Sequence, residues 1–178
     1  MSANLLQLVK KPSAGSINTG LTSLSNAWLL QRFGNPRASY SSSCQSVTNS
    51  SIKKHVLTLG VGPFRVTGYD IALWSLQRIF QNVLKFNKPL YNILGTAGML
   101  CARYMRGSHT QISDHSWGFA IDLKLGGVLD RRGDNLVQQG MIDLYHYFRN
   151  ELWYWGAEYN VEDAMHFSVS RELLTQYL

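Results

Sequence analysis

Two short segments of the sequence carry residues that could hold a metal ion. The first, SDHSWGFAID (113–122), contains His115 and Asp122, and the second, EDAMHF (162–167), contains His166. Asp122 lies in an apolar run, where a carboxylate costs stability unless it is paired or binds a metal. Two imidazoles and one carboxylate leave the fourth position of a tetrahedral ion open, as in catalytic zinc sites. These residue types therefore predict a zinc site formed by His115, Asp122 and His166.

A carboxylate next to the second histidine could move a proton for such a site. Water bound to zinc becomes a nucleophile near neutral pH, with a pKa of about 7, and a general base must then accept its proton. Asp163 lies three residues before His166 and is the predicted base, with its neighbour Glu162 as the alternative.

Two strands must bring these residues together. In GFAIDLKL (118–125) the large apolar residues alternate with Asp122, so an extended backbone buries the apolar side chains and presents Asp122 on the opposite face. The segment MHFSVS (165–170) alternates in the same way around His166. We therefore expect two strands of one sheet to present Asp122 and His166 on a common face, with His115 in the turn before the first strand.

Helical periodicity predicts the elements behind this sheet. Apolar residues recur at three- and four-residue spacing over residues 70–86 and 134–152. A short helix is predicted at 24–34, a polar loop at 35–51 and a terminal helix after Ser170. The sequence thus predicts an α+β fold, in which a small antiparallel sheet carries the zinc site and is flanked by helices.

Length and composition favour one globular domain. The chain has 178 residues, 45% of them hydrophobic, which is enough for a substantial core. We expect residues 1–59 to form an N-terminal arm, a short helix and a polar loop that pack on a catalytic domain at 60–178.

Charge and hydropathy restrict the partners. The net charge of +6 favours an anionic partner, but the basic residues are scattered and lack the pattern of nucleic-acid modules, so no nucleic acid is expected. No apolar run is long enough to span a membrane, and the N-terminus lacks a signal-peptide pattern. Cys44 and Cys101 are interpreted either as two buried thiols or as one disulfide.

The two segments together resemble a known family. SDHSWGFAID follows the SxHxxGxAxD motif, and DAMHF the (E/D)xxH motif, of the VanX/VanY-type zinc peptidases. That group includes D-alanyl-D-alanine dipeptidases and carboxypeptidases and L-alanyl-D-glutamate endopeptidases that act on peptidoglycan. The resemblance extends to CARYMRGS (101–108) and WYWGAEYNVEDAMHF (153–167), covers about residues 60–170, and implies a Hedgehog-like fold.

The resemblance also implies roles for individual residues. The zinc ligands would be His115, Asp122 and His166, the general base and acid Asp163, and the substrate-binding residues Arg103 and Ser113. The aromatic run Trp153, Tyr154 and Trp155 belongs either to the core or, through one of its members, to the pocket wall beside the zinc, and Trp155 is the predicted substrate contact. Arg103 would bind the substrate carboxylate or polarise the scissile carbonyl, with Arg106 as the alternative. Many relatives carry a glutamate where this chain has Ser168, so the surroundings of His166 are expected to differ.

The predicted function is hydrolysis of an amide bond in a peptidoglycan stem peptide by a zinc metallopeptidase of bacterial or phage type. Such an enzyme would act in the periplasm or cell wall after delivery by lysis or by a dedicated secretion partner. Both a D-alanyl-D-alanine carboxypeptidase and an endopeptidase agree with the motifs. The alternative is a non-catalytic, zinc-stabilised module of the same fold that binds cell wall or signals. Asp163 argues against this alternative, because a structural zinc site needs no proton shuttle.

Overall fold

The structure is a computed structural model, and it describes residues 4–41 and 43–177. Residues 1–3 and 42 of the predicted arm and loop, and residue 178 of the predicted catalytic domain, lie outside this part of the chain. The strands are β1 (Leu8–Lys10), β2 (Val56–Gly60), β3 (Arg65–Tyr69), β4 (Leu94–Gly98), β5 (Ala120–Leu125), β6 (Val128–Leu129), β7 (Leu136–Gln138), β8 (Trp153–Trp155) and β9 (His166–Val169). The helices are α1 (Asn26–Phe33), α2 (Ser50–Lys53), α3 (Asp70–Phe86), α4 (Lys88–Asn92), α5 (Gln139–Asn150) and α6 (Arg171–Thr175), and short 3-10 helices span Asp114–Trp117 and Gly156–Glu158.

A five-stranded antiparallel sheet supports the predicted site. Its main order is β4-β5-β9-β8, and β6 pairs with the end of β5. In the pairing of β5 with β9, Asp122 lies directly opposite His166, and Ile121 lies opposite Phe167. Ile121 and Phe167 are fully buried in the core on the face away from the histidine. The predicted pairing of the two strands is therefore confirmed.

Two amphipathic helices pack behind the sheet. Helix α3 has the predicted bounds and buries Leu73, Leu76 and Ile79 completely. From helix α5, the ring of Phe148 lies 4.2 Å from that of Phe167 in β9. The combination of helices with small antiparallel sheets confirms the predicted α+β class. Within the described residues, no helix has the length and hydropathy required to cross a bilayer.

The prediction of a helix over 134–152 is wrong at its start. Residues Leu136–Gln138 form strand β7, which pairs antiparallel with β1, and helix α5 begins only at Gln139. The backbone N–H groups of Gln139 and Gly140 donate to the carbonyls of Gln7 and Leu5. The N-terminal arm thus satisfies the first donors of α5, which a helix cannot satisfy internally. Local periodicity could not reveal this contact between distant segments.

The arm also contacts the strand that precedes the second motif. Asn18 is buried, and its side-chain amide accepts from the N–H of Trp155 at 2.9 Å and donates to the carbonyl of Trp155 at 3.0 Å. Its backbone N–H donates to the hydroxyl of Tyr145 at 2.6 Å. The arm therefore packs on the remainder of the chain, while a domain boundary between residues 59 and 60 stays a prediction.

Cys44 and Cys101 are paired as a disulfide, with Cα atoms 5.0 Å apart. Of the two interpretations of the cysteines, the structure agrees with the single disulfide and not with two separate buried thiols. The backbone N–H of Cys101 donates to the carbonyl of His115 at 3.0 Å. The disulfide thus ties the polar loop before α2 to the segment that packs against the first motif.

Candidate active site

Asp122 lies between the two histidines of the motifs. Its Oδ1 atom is 3.1 Å from Nδ1 of His166 and 3.3 Å from Nε2 of His115. The rings of His115 and His166 are 5.1 Å apart and inclined at 69°. The structure thus brings together the three residues that the sequence predicts as ligands.

The 3-10 helix Asp114–Trp117 positions His115 before strand β5. The Nδ1 atom of His115 lies 2.6 Å from the backbone carbonyl of Met99. A carbonyl oxygen can only accept, so Nδ1 carries a proton, and Nε2 beside Asp122 is the nitrogen left to bind a metal ion. Gly118 ends this helix with φ 77°, and a Cβ atom there would lie 2.6 Å from the backbone nitrogen of Tyr69. Only glycine allows this left-handed turn and close approach, as the motif predicts.

The carboxylates of this cluster stay ionised. Burial alone would raise the pKa of Asp122, but the hydrogen bonds and charges of His115 and His166 outweigh it and hold the pKa well below its usual range. Burial opposes charge on His166 as well, yet Asp114 and Asp122 raise the pKa of its imidazole well above the ordinary value. The cluster is therefore built to hold positive charge between carboxylates.

Asp163 lies in the turn before β9 and lines the same cavity as the cluster. Its Oδ2 atom is 3.3 Å from Nε of Arg132, whereas its buried Oδ1 atom has no hydrogen-bond partner within the described residues. Burial raises the pKa of Asp163, and the charges of His166 and Arg132 only partly offset this effect. One oxygen is thus held by Arg132, and the other is left without a hydrogen-bond donor in the described part of the chain.

Both carboxylate oxygens of Glu162, the alternative base, already accept hydrogen bonds from the backbone. It is 1% exposed, and its two carboxylate oxygens accept from the backbone N–H groups of Gly133, Asn135 and Ala164 at 2.8 to 3.2 Å. These bonds pin the loop of Arg132 against the turn of Asp163. Glu162 therefore positions the loop, and its lack of access to the cavity removes it as a candidate base.

A cavity of about 360 Å³ opens over the cluster. Three arginines and three aspartates line it, so their formal charges cancel, and a divalent cation would make the cavity positive. Part of the wall comes from the N-terminal region, where Asn26 exchanges two hydrogen bonds of 2.6 Å with the backbone of Ile112. The charged lining residues are Arg103, Arg106, Arg132, Asp114, Asp122 and Asp163.

The predicted substrate-binding residues fall in different places. Arg103 and Ser113 both line the cavity, and the backbone N–H of Ser113 donates to the carbonyl of Arg103 at 3.0 Å. Nη1 of Arg103 donates to the carbonyl of Tyr104 at 3.0 Å. Arg106 lines the cavity too, but it is exposed.

The prediction that Trp155 contacts substrate does not agree with the structure. Trp155 is fully buried, stacks on Phe167 and Tyr145, and donates its indole N–H to the carbonyl of Ala164 at 2.8 Å. Its side chain is part of the core because β8 turns it to the apolar face of the sheet. Tyr159 is instead the aromatic residue of the cavity wall, with its ring 5.9 Å from that of His166.

Ser168, which replaces the common glutamate, is fully buried opposite Ala120. Its Oγ atom has no hydrogen-bond partner among the described residues. The position therefore supplies no carboxylate near His166 in this chain.

Sequence reasoning missed three residues at the site, namely Asp114, Arg132 and Tyr159. Asp114 lies inside the first motif, at a position that the motif leaves unspecified. Its place directly before His115 could have indicated that it belongs to the site. Arg132 belongs to a basic pair in a polar loop, and only the contacts of Glu162 bring it to the cavity. Nothing in the local sequence distinguishes Tyr159 from the core aromatics around it.

The residues present are suited to a zinc ion. Two imidazole nitrogens and one carboxylate oxygen converge, and these are donors that zinc prefers. The group whose single ligand atoms all lie within 4.8 Å of one another consists of Asp114, His115 and His166, so a carboxylate lies close to His166 on the side of Asp114 as well. Within the described residues, these side chains could therefore hold a metal ion.

The sheet, the open cavity and the cluster of histidines and aspartates define an α+β protein whose clustered side chains could hold a metal ion. Residues 106–169 match the model of a family described as D-alanyl-D-alanine carboxypeptidase. This match confirms the resemblance of this part of the chain to the VanX/VanY-type peptidases. It supports a metallopeptidase that acts on peptidoglycan-type D-alanyl-D-alanine substrates. The matched segment contains both motifs but begins after Arg103.

Searches of curated proteins and of solved structures gave no match to the chain.

Proposed function

We propose that this chain is a zinc-dependent peptidase that hydrolyses an amide bond in a peptidoglycan stem peptide, on a Hedgehog-like sheet. The observation that carries this proposal is the position of Asp122 Oδ1, 3.1 and 3.3 Å from one nitrogen of each motif histidine. Nε2 of His115, Oδ1 of Asp122 and Nδ1 of His166 would hold the ion. When bound, zinc supplies a Lewis acid that polarises a carbonyl group and makes water a nucleophile near neutral pH.

Asp163 would move the proton. Its free carboxylate oxygen accepts a proton from the attacking water as the water oxygen bonds to the carbonyl carbon. The same carboxyl then gives that proton to the leaving amine as the C–N bond breaks. Arg132 holds the other oxygen at 3.3 Å, so the carboxylate keeps one orientation through both transfers.

Arg103 would stabilise the negative charge that develops on the carbonyl oxygen. Its backbone is fixed by Ser113 and by the side chain of Ser116, whose Oγ accepts from the N–H of Arg103 at 3.1 Å. Ser113 would contact the substrate from the cavity wall.

The charge of the cavity favours a carboxypeptidase. With a divalent ion in place, the three arginines exceed the remaining negative charge, which suits a substrate that ends in a free carboxylate. An arginine can bind a carboxylate through two parallel hydrogen bonds. Cleavage of the terminal D-alanyl-D-alanine bond is therefore the favoured activity, and an internal bond of the stem peptide is the alternative.

Mass spectrometry of digested peptidoglycan tests this proposal. Purified sacculi are incubated with the zinc-loaded protein, and released products are compared with those from Asp163→Asn. Release of free alanine with shortened stem peptides supports the carboxypeptidase, whereas soluble muropeptides with cut internal bonds support the endopeptidase. Zinc-loaded protein that binds sacculi and releases nothing would overturn the proposal in favour of a non-catalytic module.

A further inference from the structure

We infer that Asp114 is a positioning residue that orients His166 for metal binding, an assignment that rests on the zinc site proposed above. Its Oδ2 atom lies 3.3 Å from Nε2 of His166, on the side of the ring away from Asp122. A carboxylate only accepts hydrogen bonds, so this contact fixes the proton on Nε2. Nδ1, 3.1 Å from Oδ1 of Asp122, is then the nitrogen whose lone pair would bind the ion.

The two histidines are oriented by the same principle through different acceptors. His115 donates a hydrogen bond from Nδ1–H to the carbonyl of Met99, and its Nε2 atom faces Asp122. His166 donates a hydrogen bond from Nε2–H to Asp114, and its Nδ1 atom faces Asp122. Metal-binding histidines usually donate their second N–H to a carboxylate or carbonyl, which fixes the ring and strengthens the ligand. Each ring here has one such acceptor.

Local contacts hold Asp114 in place for this role. Its Oδ1 atom accepts from the backbone N–H of His115 at 3.1 Å, which leaves Oδ2 directed at His166. The side chain is 19% exposed, so bulk water competes weakly for the contact. One carboxylate therefore links the two motifs, which are more than forty residues apart in sequence.

The alternative is that Asp114 is itself a metal ligand. Its ligand atom lies within 4.8 Å of those of His115 and His166. An ion held by Asp114 and Nε2 of His166 would, however, lie on the side of the ring opposite to Asp122. Oδ1 of Asp122 is within 3.3 Å of both histidines, whereas Oδ2 of Asp114 contacts His166. The geometry therefore assigns the ion to the side of Asp122 and places Asp114 behind the ring.

Zinc affinity tests this assignment. The dissociation constant is measured by competition with a chelator for the wild type, Asp114→Ala and Asp114→Asn, with thermal melting of each metal-free protein. Asp114→Ala should bind zinc about 10- to 100-fold more weakly, and Asp114→Asn, which has one acceptor oxygen for the two N–H groups of His115 and His166, should lose an intermediate amount. The matched control Asp143→Asn changes a half-buried carboxylate on α5 and should bind zinc as the wild type does.

A spectroscopic readout separates orientation from general stability. In proton NMR of the zinc-loaded protein, the Nε2–H of His166 should be protected from exchange in the wild type and should exchange rapidly in Asp114→Ala. Unchanged zinc affinity in Asp114→Ala would overturn the assignment. Complete loss of zinc in both variants, as expected for His166→Ala, would make Asp114 a ligand instead. Failure of the wild type to bind zinc would overturn the proposed function itself.

Discussion

Asp122 and His166 face each other across the antiparallel pair of β5 and β9, with Oδ1 3.1 Å from Nδ1. Side chains directly opposite in an antiparallel pair have Cβ atoms roughly 5 Å apart, so the register alone brings the carboxylate and the imidazole into contact. A slip by one residue would turn one of them to the apolar face. The register of two strands therefore decides whether a metal site exists.

The first prediction separates a ligand from a base. His166→Ala removes a donor atom and should lose zinc, activity and part of the metal-dependent stability, because metal binding stabilises the folded state. Asp163→Asn keeps its shape but cannot accept the proton, so it should retain zinc and lose roughly 10²- to 10⁴-fold in turnover. Zinc content, melting temperature and product release are measured for both. Loss of zinc in Asp163→Asn would make this carboxylate a ligand.

The second prediction concerns the arginines of the cavity. Arg103→Ala should lower turnover roughly 10²-fold or more while zinc content stays intact, because a fixed cation stabilises developing negative charge. Arg106→Ala should have a milder effect, since Arg106 is exposed. Steady-state kinetics on a peptide that ends in D-alanyl-D-alanine measures both. If Arg106→Ala were the more damaging, the two roles would be reversed.

The third prediction concerns the pH dependence of Asp163. Burial raises its pKa and Arg132 lowers it, so Arg132→Ala should raise the pKa further. A base works only when deprotonated, and the acidic limb of kcat/KM should therefore move to higher pH in Arg132→Ala. Arg132→Lys keeps the charge and should move the limb less. Arg131→Ala, in the exposed neighbour that does not line the cavity, is the matched control, and an equal shift there would contradict a specific ion pair.

The fourth prediction concerns stability. Asp130 is 4% exposed, its Oδ1 atom has no partner in the described part of the chain, and burial raises its pKa to about 6. Because the folded pKa is above the unfolded value of about 3.9, Asp130 favours the folded state most below about pH 4, and this contribution declines as the pH rises through 6. Asp130→Asn should therefore gain stability relative to the wild type between pH 4 and 7, by on the order of 2 kcal/mol. Urea unfolding across this range measures the difference, and a difference that does not change with pH would contradict the buried, protonated carboxyl.

The sequence was sufficient to predict that Asp122 and His166 lie together, because their placement follows from local alternation. Period-two patterns in β5 and β9 put Asp122 and His166 on the face opposite the large apolar residues. Both faces proved to be covered, since Ser168 is as fully buried as Phe167. The pattern therefore indicated the face of the sheet on which each side chain lies, but not how deeply the residues on the polar face are buried.

Contacts between distant segments could not be predicted in this way. The arm supplies Leu5 and Gln7 carbonyls to α5, and Glu162 pins the loop of Arg132, yet neither contact has a periodic signal. Trp155 was misassigned because an aromatic run next to a motif is compatible with both a core and a cavity wall. Its side of the strand is set by pairing with Phe167, which sequence alone does not show.

Zinc content and activity measured in the same preparation test the central claim most directly. Purified protein should contain about one zinc per chain, and a chelator should remove the metal together with hydrolysis of a stem peptide that ends in D-alanyl-D-alanine. Added zinc should restore both, but not in His166→Ala. Metal-free protein that still hydrolyses the peptide at the full rate would contradict a zinc site formed by His115, Asp122 and His166.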